Sequence, residues 1–177
     1  LLSIGSSIPP SIIRSWSGNV DEVRIWNRAL SDQEILENLN YQRKYYRDIY
    51  DSSLYDDSLV LMTNLDNRNA LGESGTLIKD VSAYGNDGSC AEPTCPILDP
   101  AGKYGGSFKF DGVDDYIDLG ASSILNTNID DITISAWVKL DAEIGSENTN
   151  YEIFTNELLQ SYGYEFRIQN NLPATSS

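Results

Sequence analysis

An all-β sandwich with one connecting α-helix is the fold class this sequence predicts, on three observations. Short segments of alternating apolar and polar residues recur along the chain, at the period of two that lays one face of a strand on a core. Turn-forming Asp, Asn, Gly and Ser separate them, as in Asp80-Val-Ser-Ala-Tyr-Gly-Asn-Asp-Gly88. Helix-start signals stand out once, in Ala29-Leu-Ser-Asp-Gln-Glu34, where Ser31 is an N-cap, Glu34 closes a capping box and Asp32 suits the helix dipole.

Taken in order, residues 1–4 read as a short strand ended by Gly5 and a Ser/Pro loop. Residues 19–27 alternate: Val20, Glu22, Arg24 and Trp26 share one parity, and Asp21, Val23, Ile25 and Asn27 the other. The helix beginning at Ser31 places Ile35, Leu39, Tyr46 and Ile49 near one face and is expected to run to about Tyr50. Residues 51–58, acidic and Ser-rich, read as a break between domains. Residues 59–65 form an apolar run fit for a buried strand. Residues 107–110 and 116–119 flank Asp111-Gly112, a hairpin signal. In residues 131–140, Ile132, Ile134, Ala136, Val138 and Leu140 point inward, with Thr133, Ser135, Trp137 and Lys139 opposite. Residues 151–155 and 164–169 give two further strands.

Composition excludes several function classes. The 177 residues carry 12 Lys and Arg against 27 Asp and Glu, a net charge of −15. A chain so acidic repels phosphate backbones and anionic lipid, so neither nucleic-acid binding nor membrane insertion is expected. Most of that charge follows residue 57. The absence of histidine removes Ser-His-Asp and Cys-His nucleophile systems and histidine-ligated zinc. Cys90 and Cys95 lack the two further soft ligands a zinc site needs. They also lack the two-residue spacing of a redox pair, so a disulfide pinning a loop is expected, with an oxidising, extracellular compartment.

Phe108-Lys-Phe-Asp-Gly-Val-Asp-Asp-Tyr-Ile117, followed by Ile132-Thr-Ile-Ser-Ala-Trp-Val138, resembles the opening half of a laminin-G-like, concanavalin-A-like jelly-roll domain. The turn at residues 80–88 fits that family's first turn. Gly18-Asn-Val-Asp-Glu-Val-Arg-Ile-Trp-Asn-Arg-Ala-Leu30 with Glu34-Ile35 resembles the closing strand and helix of the same kind of domain. The closing motif precedes the opening one. The resemblance therefore implies that residues 1–40 are the tail of one domain, 41–57 a helical and acidic linker, and 58–177 the head of the next. Such a chain either straddles a boundary in a tandem-repeat protein or completes its sandwich with strands from another copy.

Adjacent Asp21 and Glu22 fall on opposite faces of a strand, and Arg24 stands where a further acid would be wanted, so a glycosidase pair is not expected. The reading is non-catalytic. Calcium is the better use of these oxygens: Asp80, Asn86 and Asp87 surround a Gly-bounded turn, and the resemblance adds Asp21 in the first segment. Trp137 and Tyr116 are candidate ligand or partner contacts, as are Tyr45 and Tyr46 in a basic, aromatic stretch with Arg43, Lys44 and Arg47. That stretch is expected to dock the linker on the acidic second segment. The implied role is an extracellular or cell-surface structural and adhesive module, repeated or assembled into a filament, whose partners are other copies or neighbouring repeats. A carbohydrate-binding module of a secreted glycan-active protein is the alternative.

Overall fold

The computed structural model describes residues 2–6, 14–41, 55–125, 131–141, 150–156 and 163–169. Its ten-residue strand β2, Ser17–Trp26, follows the short β1, Leu2–Ile4. After the helix α1, Asp32–Tyr41, come β3 (Leu59–Thr63), β4 (Leu77–Ile78), β5 (Gly88–Ser89), β6 (Ile97–Asp99) and β7 (Ser107–Asp111). The described strands end with β8 (Ile117–Gly120), β9 (Thr133–Leu140), β10 (Asn150–Asn156) and β11 (Glu165–Gln169). One antiparallel sheet has the order β11-β10-β1-β8-β5-β4. In the other, β9 lines one edge of β2; β7 and then β3 share the opposite edge, with β6 outside β7. The expected all-β sandwich with a single helix is the architecture observed.

The two sheets enclose one apolar core. Leu2, Ile4, Ile117, Ile153 and Phe154 from the first meet Val20, Val23, Ile25, Phe108 and Phe110 from the second, around a fully buried Trp16. Each such side chain contributes roughly 1.5–3 kcal/mol on leaving water. The inward stripe of β9 packs on this core as the alternation predicts. The segments expected to belong to two partial domains supply strands to the same sheets: β1 lies between β8 and β10, and β2 runs between β9 and the β7–β3 edge.

Strict alternation in β2 does not hold. Val20 pairs with inward Val138, and Asp21 with outward Trp137; beyond them, Arg24 pairs with outward Ser135 and Ile25 with inward Ile134. Glu22, at φ 53°, absorbs the change, and the register with β9 shifts there. The bulge switches parity, so Val20, Val23 and Ile25 all enter the core, and Asp21 joins the outer face instead of sharing a face with Val23 and Ile25. The hairpin expected at Asp111-Gly112 is also replaced. Strands β7 and β8 lie in different sheets, so the turn is a crossover, closed by Asp111 Oδ1 accepting from Val113 N–H (2.8 Å) and Asp115 Oδ2 accepting from Asp111 N–H (2.9 Å).

The helix docks on the outer face through polar contacts. Arg24 pairs with Glu22 at 2.6 Å and donates to Asn38 Oδ1 at 2.7 Å, while Asn38 Nδ2 donates to Ser135 Oγ at 3.1 Å. The capping box forms as expected, with Ser31 N–H donating to Glu34 Oε2 at 2.8 Å and Glu34 N–H reaching Ser31 Oγ at 3.4 Å. Ile35, Leu36 and Leu39 are half exposed, so the apolar face is not what holds the helix. The expected continuation to Tyr50 lies outside the described residues.

Truncating Phe110 to Ala removes core packing shared by both sheets and lowers unfolding free energy by about 3–5 kcal/mol in urea titration. Gly18, at φ +139°, would place a Cβ 2.1 Å from the Lys139 carbonyl oxygen, whereas a Cβ at Gly75 meets nothing within 4 Å. Gly18→Ala therefore destabilises strongly in the same titration, and Gly75→Ala leaves the midpoint nearly unchanged.

Candidate metal centre

The bulge in β2 turns Asp21 toward the loop at residues 101–106. Its Oδ2 accepts from Tyr104 N–H at 3.0 Å, and the Lys103 N–H also faces this carboxylate. Asp66, just beyond β3, accepts from Gly106 N–H at 2.7 Å through Oδ1 and pairs with Arg68 Nε at 2.8 Å through Oδ2. Two buried carboxylates thus clasp one glycine-rich loop. Gly105 is required at φ +85°, where a Cβ would lie 2.4 Å from Asp66 Oδ1.

Some buried oxygens, on Asp21 and on the segment after β3, have no protein donor. Asp21 Oδ1 and Asn64 Oδ1 are buried without a hydrogen bond, and so is Asn67 Oδ1. Asn64 follows Thr63, whose partner is Val23, so it sits at the bulged end of the β2–β3 ladder. Leu65 and Asn67 both have positive φ, which bends the chain sharply after β3. An unsatisfied buried oxygen costs about 1–3 kcal/mol, and oxygen-only groups of this kind suit a hard cation. Burial pushes the Asp21 carboxyl up to about 7; the Tyr104 and Lys103 N–H groups oppose that shift, and the charges of Glu22 and Asp66 add to it.

A second acidic group lies in the β7–β8 crossover. Asp111, Asp114 and Asp115 each offer a carboxylate oxygen within 4.8 Å of the others, close enough to hold a metal ion. Asp115 is buried, and desolvation raises its carboxyl to about 6 against the Asp111 N–H, with help from the charges of Asp111, Asp114 and Glu92.

The sequence-predicted residues are distributed differently. Asp80, Asn86 and Asp87 do meet, but N–H donors occupy their carboxylates. Asp80 Oδ1 accepts from Met62 and Ser82 N–H, each at 2.9 Å, and Oδ2 from Asn86 N–H at 2.7 Å and Ser82 Oγ at 2.8 Å. Asp87 accepts from Asp80 N–H at 3.0 Å and pairs with Lys79. Asn86 Nδ2 donates to Val60 O at 2.7 Å. This turn satisfies the open edge of β3. Cys90 and Cys95 are disulfide-bonded. Trp137 lies beside Asp21, whereas half-buried Tyr116 donates its N–H to Thr94 O in a separate region. Tyr45 and Tyr46, with their basic neighbours, lie outside the described residues.

Asn64 and Asp66 carry no sequence signal of their own, because Asn64 lies inside the apolar run of residues 59–65 and Asp66 follows it as an ordinary turn residue would. Their one local signal is the glycine density of Ala101-Gly-Lys-Tyr-Gly-Gly106, which marks a close backbone approach. By sequence Asp111 is only a turn residue. Among the described residues, no helix is long and apolar enough to cross a membrane. No protein-family model, curated protein or solved structure matches the chain, so the family resemblance rests on its motifs.

Both raised carboxyls tie stability to pH. Between the ordinary value of 3.8 and about 7, the folded chain keeps the Asp21 proton that the unfolded chain releases. Stability of the metal-free protein therefore falls as pH rises through that window, by roughly 4 kcal/mol for a shift of this size, and levels off above it. Chemical denaturation from pH 4 to 8 should show the fall. Asp21→Asn removes its upper part, and Asp115→Asn flattens only the portion below about 6.

Proposed function

We propose that this chain is a non-catalytic, extracellular structural and adhesive module of the laminin-G-like, concanavalin-A-like kind, stiffened by a calcium ion at Asp21. The buried, unpartnered Asp21 Oδ1 beside the clasped loop carries the reading. Asp21 would hold the ion, which would supply charge neutralisation and rigidity. The disulfide is compatible with an extracellular setting. The non-catalytic reading has the support of the buried carboxylates, whose oxygens grip backbone N–H groups at Asp21, Asp66, Asp80 and Asp115.

The alternative, a carbohydrate-binding module, draws support from the groove beside Trp137, lined also by Asn19 and Ser107. Fibres seen by microscopy without sugar retention on a glycan array favour the structural reading; specific retention without assembly favours the module.

Calcium is tested by melting at pH 7.5 with chelator and with excess Ca2+. At a hundredfold excess over Kd, the midpoint should rise by roughly 5–10 °C. Asp21→Asn should abolish the rise. Loss of the rise in Asp111→Asn with Asp114→Asn, and not in Asp21→Asn, would move the ion to the crossover triad. Identical melting with and without chelator removes the ion altogether.

A further inference from the structure

Strand β9 ends one side of its sheet, pairing with β2 and, among the described residues, with no other strand. A strand so placed presents unpaired N–H and C=O groups along its outer edge. The inward residues Ile132, Ile134, Ala136 and Val138 pack on the core yet stay partly exposed, so apolar surface reaches the same edge. Asp131 and Lys139, at the two ends of the outward-facing set, are exposed and form no ion pair among the described residues. Their neighbour Asp141 is already engaged by Lys109 at 2.9 Å. A lysine on an open edge ordinarily blocks pairing, and a partner with an acid at the mirrored position turns it into a contact.

A second copy of β9 is such a partner. Antiparallel pairing of the two strands centred on Ser135 sets Asp131 opposite Lys139 at both ends. Between them Thr133 meets Trp137 on the outward face, while Ile132 meets Val138 and Ile134 meets Ala136 on the inward face. A slip of two residues keeps the faces but sets Asp131 against Asp141, so charge selects this register. The helix adds a second layer. Asn38 donates to Ser135 Oγ and accepts from Arg24, the residue that pairs with Ser135, so α1 lies over the β2–β9 seam at the centre of the register. Glu34 accepts from Arg28, which also reaches Ser58 and Asp56 just before β3, on the far edge of β2. At roughly 100° per residue, Ile35, Leu36 and Leu39 project on the other side of Asn38 from Glu34, toward the open edge of β9. They are 49%, 54% and 45% exposed. With strands about 4.8 Å apart, a two-fold axis along that edge brings α1 and its mate to about 9–10 Å, the spacing of packed helices.

We propose that this chain forms a two-fold dimer in which the β9 edges join two sheets into one and the apolar flanks of the two α1 helices pack across the axis. The contact is isologous and closes at two copies. It rests on the structural reading of the function and names the building unit of the assembly. Sedimentation equilibrium of the full chain at about 150 mM salt, where repulsion between two acidic copies is screened beyond ~8 Å, should show monomers and dimers exchanging between about 1 and 100 μM. Lys139→Glu puts two like-charged pairs into the register and should weaken the dimer roughly tenfold or more, as should Asp131→Lys. The chain carrying both changes regains the pairs with reversed polarity and should dimerise like the parent. Leu39→Glu should weaken the dimer with circular dichroism unchanged, and Leu77→Glu, exposed at a distant strand, should not. A chain that stays monomeric through that range, or a dimer indifferent to both charge reversals or not restored by combining them, overturns the proposal. Dimers without fibres or adhesion leave this interface standing and sink the structural reading; fibres from chains that remain monomeric in solution do the reverse.

Discussion

The bulge at Asp21-Glu22 is the constraint on which the rest of the sandwich depends. Strand β2 must serve β7 and β3 on one edge and β9 on the other, and its apolar residues sit at positions 20, 23 and 25. A regular strand would send Val20 and Val23 to opposite faces. Placing Glu22 at φ 53° buries both, and the same kink carries Asp21 outward beneath the loop that follows β6. The outer-face ion pair of Glu22 with Arg24 then reaches Asn38 and seats the helix. Core packing, loop position and helix docking are thus consequences of one local backbone choice.

The acidic composition has a structural use that counting charges does not reveal. Aspartates recur as acceptors for backbone N–H groups that no ladder satisfies: Asp66 for Gly106, Asp80 for Met62 and Asn86, Asp99 for Ala101, Asp115 for Asp111, and Asp118 for Gly120. A sandwich with short strands leaves many such groups, and a short carboxylate can satisfy two or more at once. Burial chiefly raises the carboxyls of Asp21 and Asp115, and the charges of neighbouring acids add to it. These are also the places where a hard cation would bring the largest relief.

The proposed ion and the groove beside Trp137 share a wall. Asp21 holds the backbone of Lys103 and Tyr104, whose side chains meet the Trp137 ring. Anything that orders that loop also sets the aromatic wall, so rigidity and recognition are linked by contact and need no longer path. A site assembled from β2, β9 and a loop between β6 and β7 draws on residues far apart in the chain, which is common for binding surfaces carried by loops on a rigid sheet.

Much was legible in the residues themselves. Local rules decided the strand at residues 133–140, the capping box at Ser31 and Glu34, the Cys90–Cys95 bridge and the all-β class, because each depends on neighbours a few positions away. The meeting of Asp80, Asn86 and Asp87 was legible for the same reason, though not that N–H groups would claim their oxygens. Tertiary structure alone decided that residues 1–26 share sheets with residues 59–169, that β7 and β8 part company at Asp111, and that Asp21 and Asp66 gather at one loop. Periodicity reports which face of a strand is apolar, whereas sheet membership and bulge position follow from how strands distant in sequence compete for one another's edges.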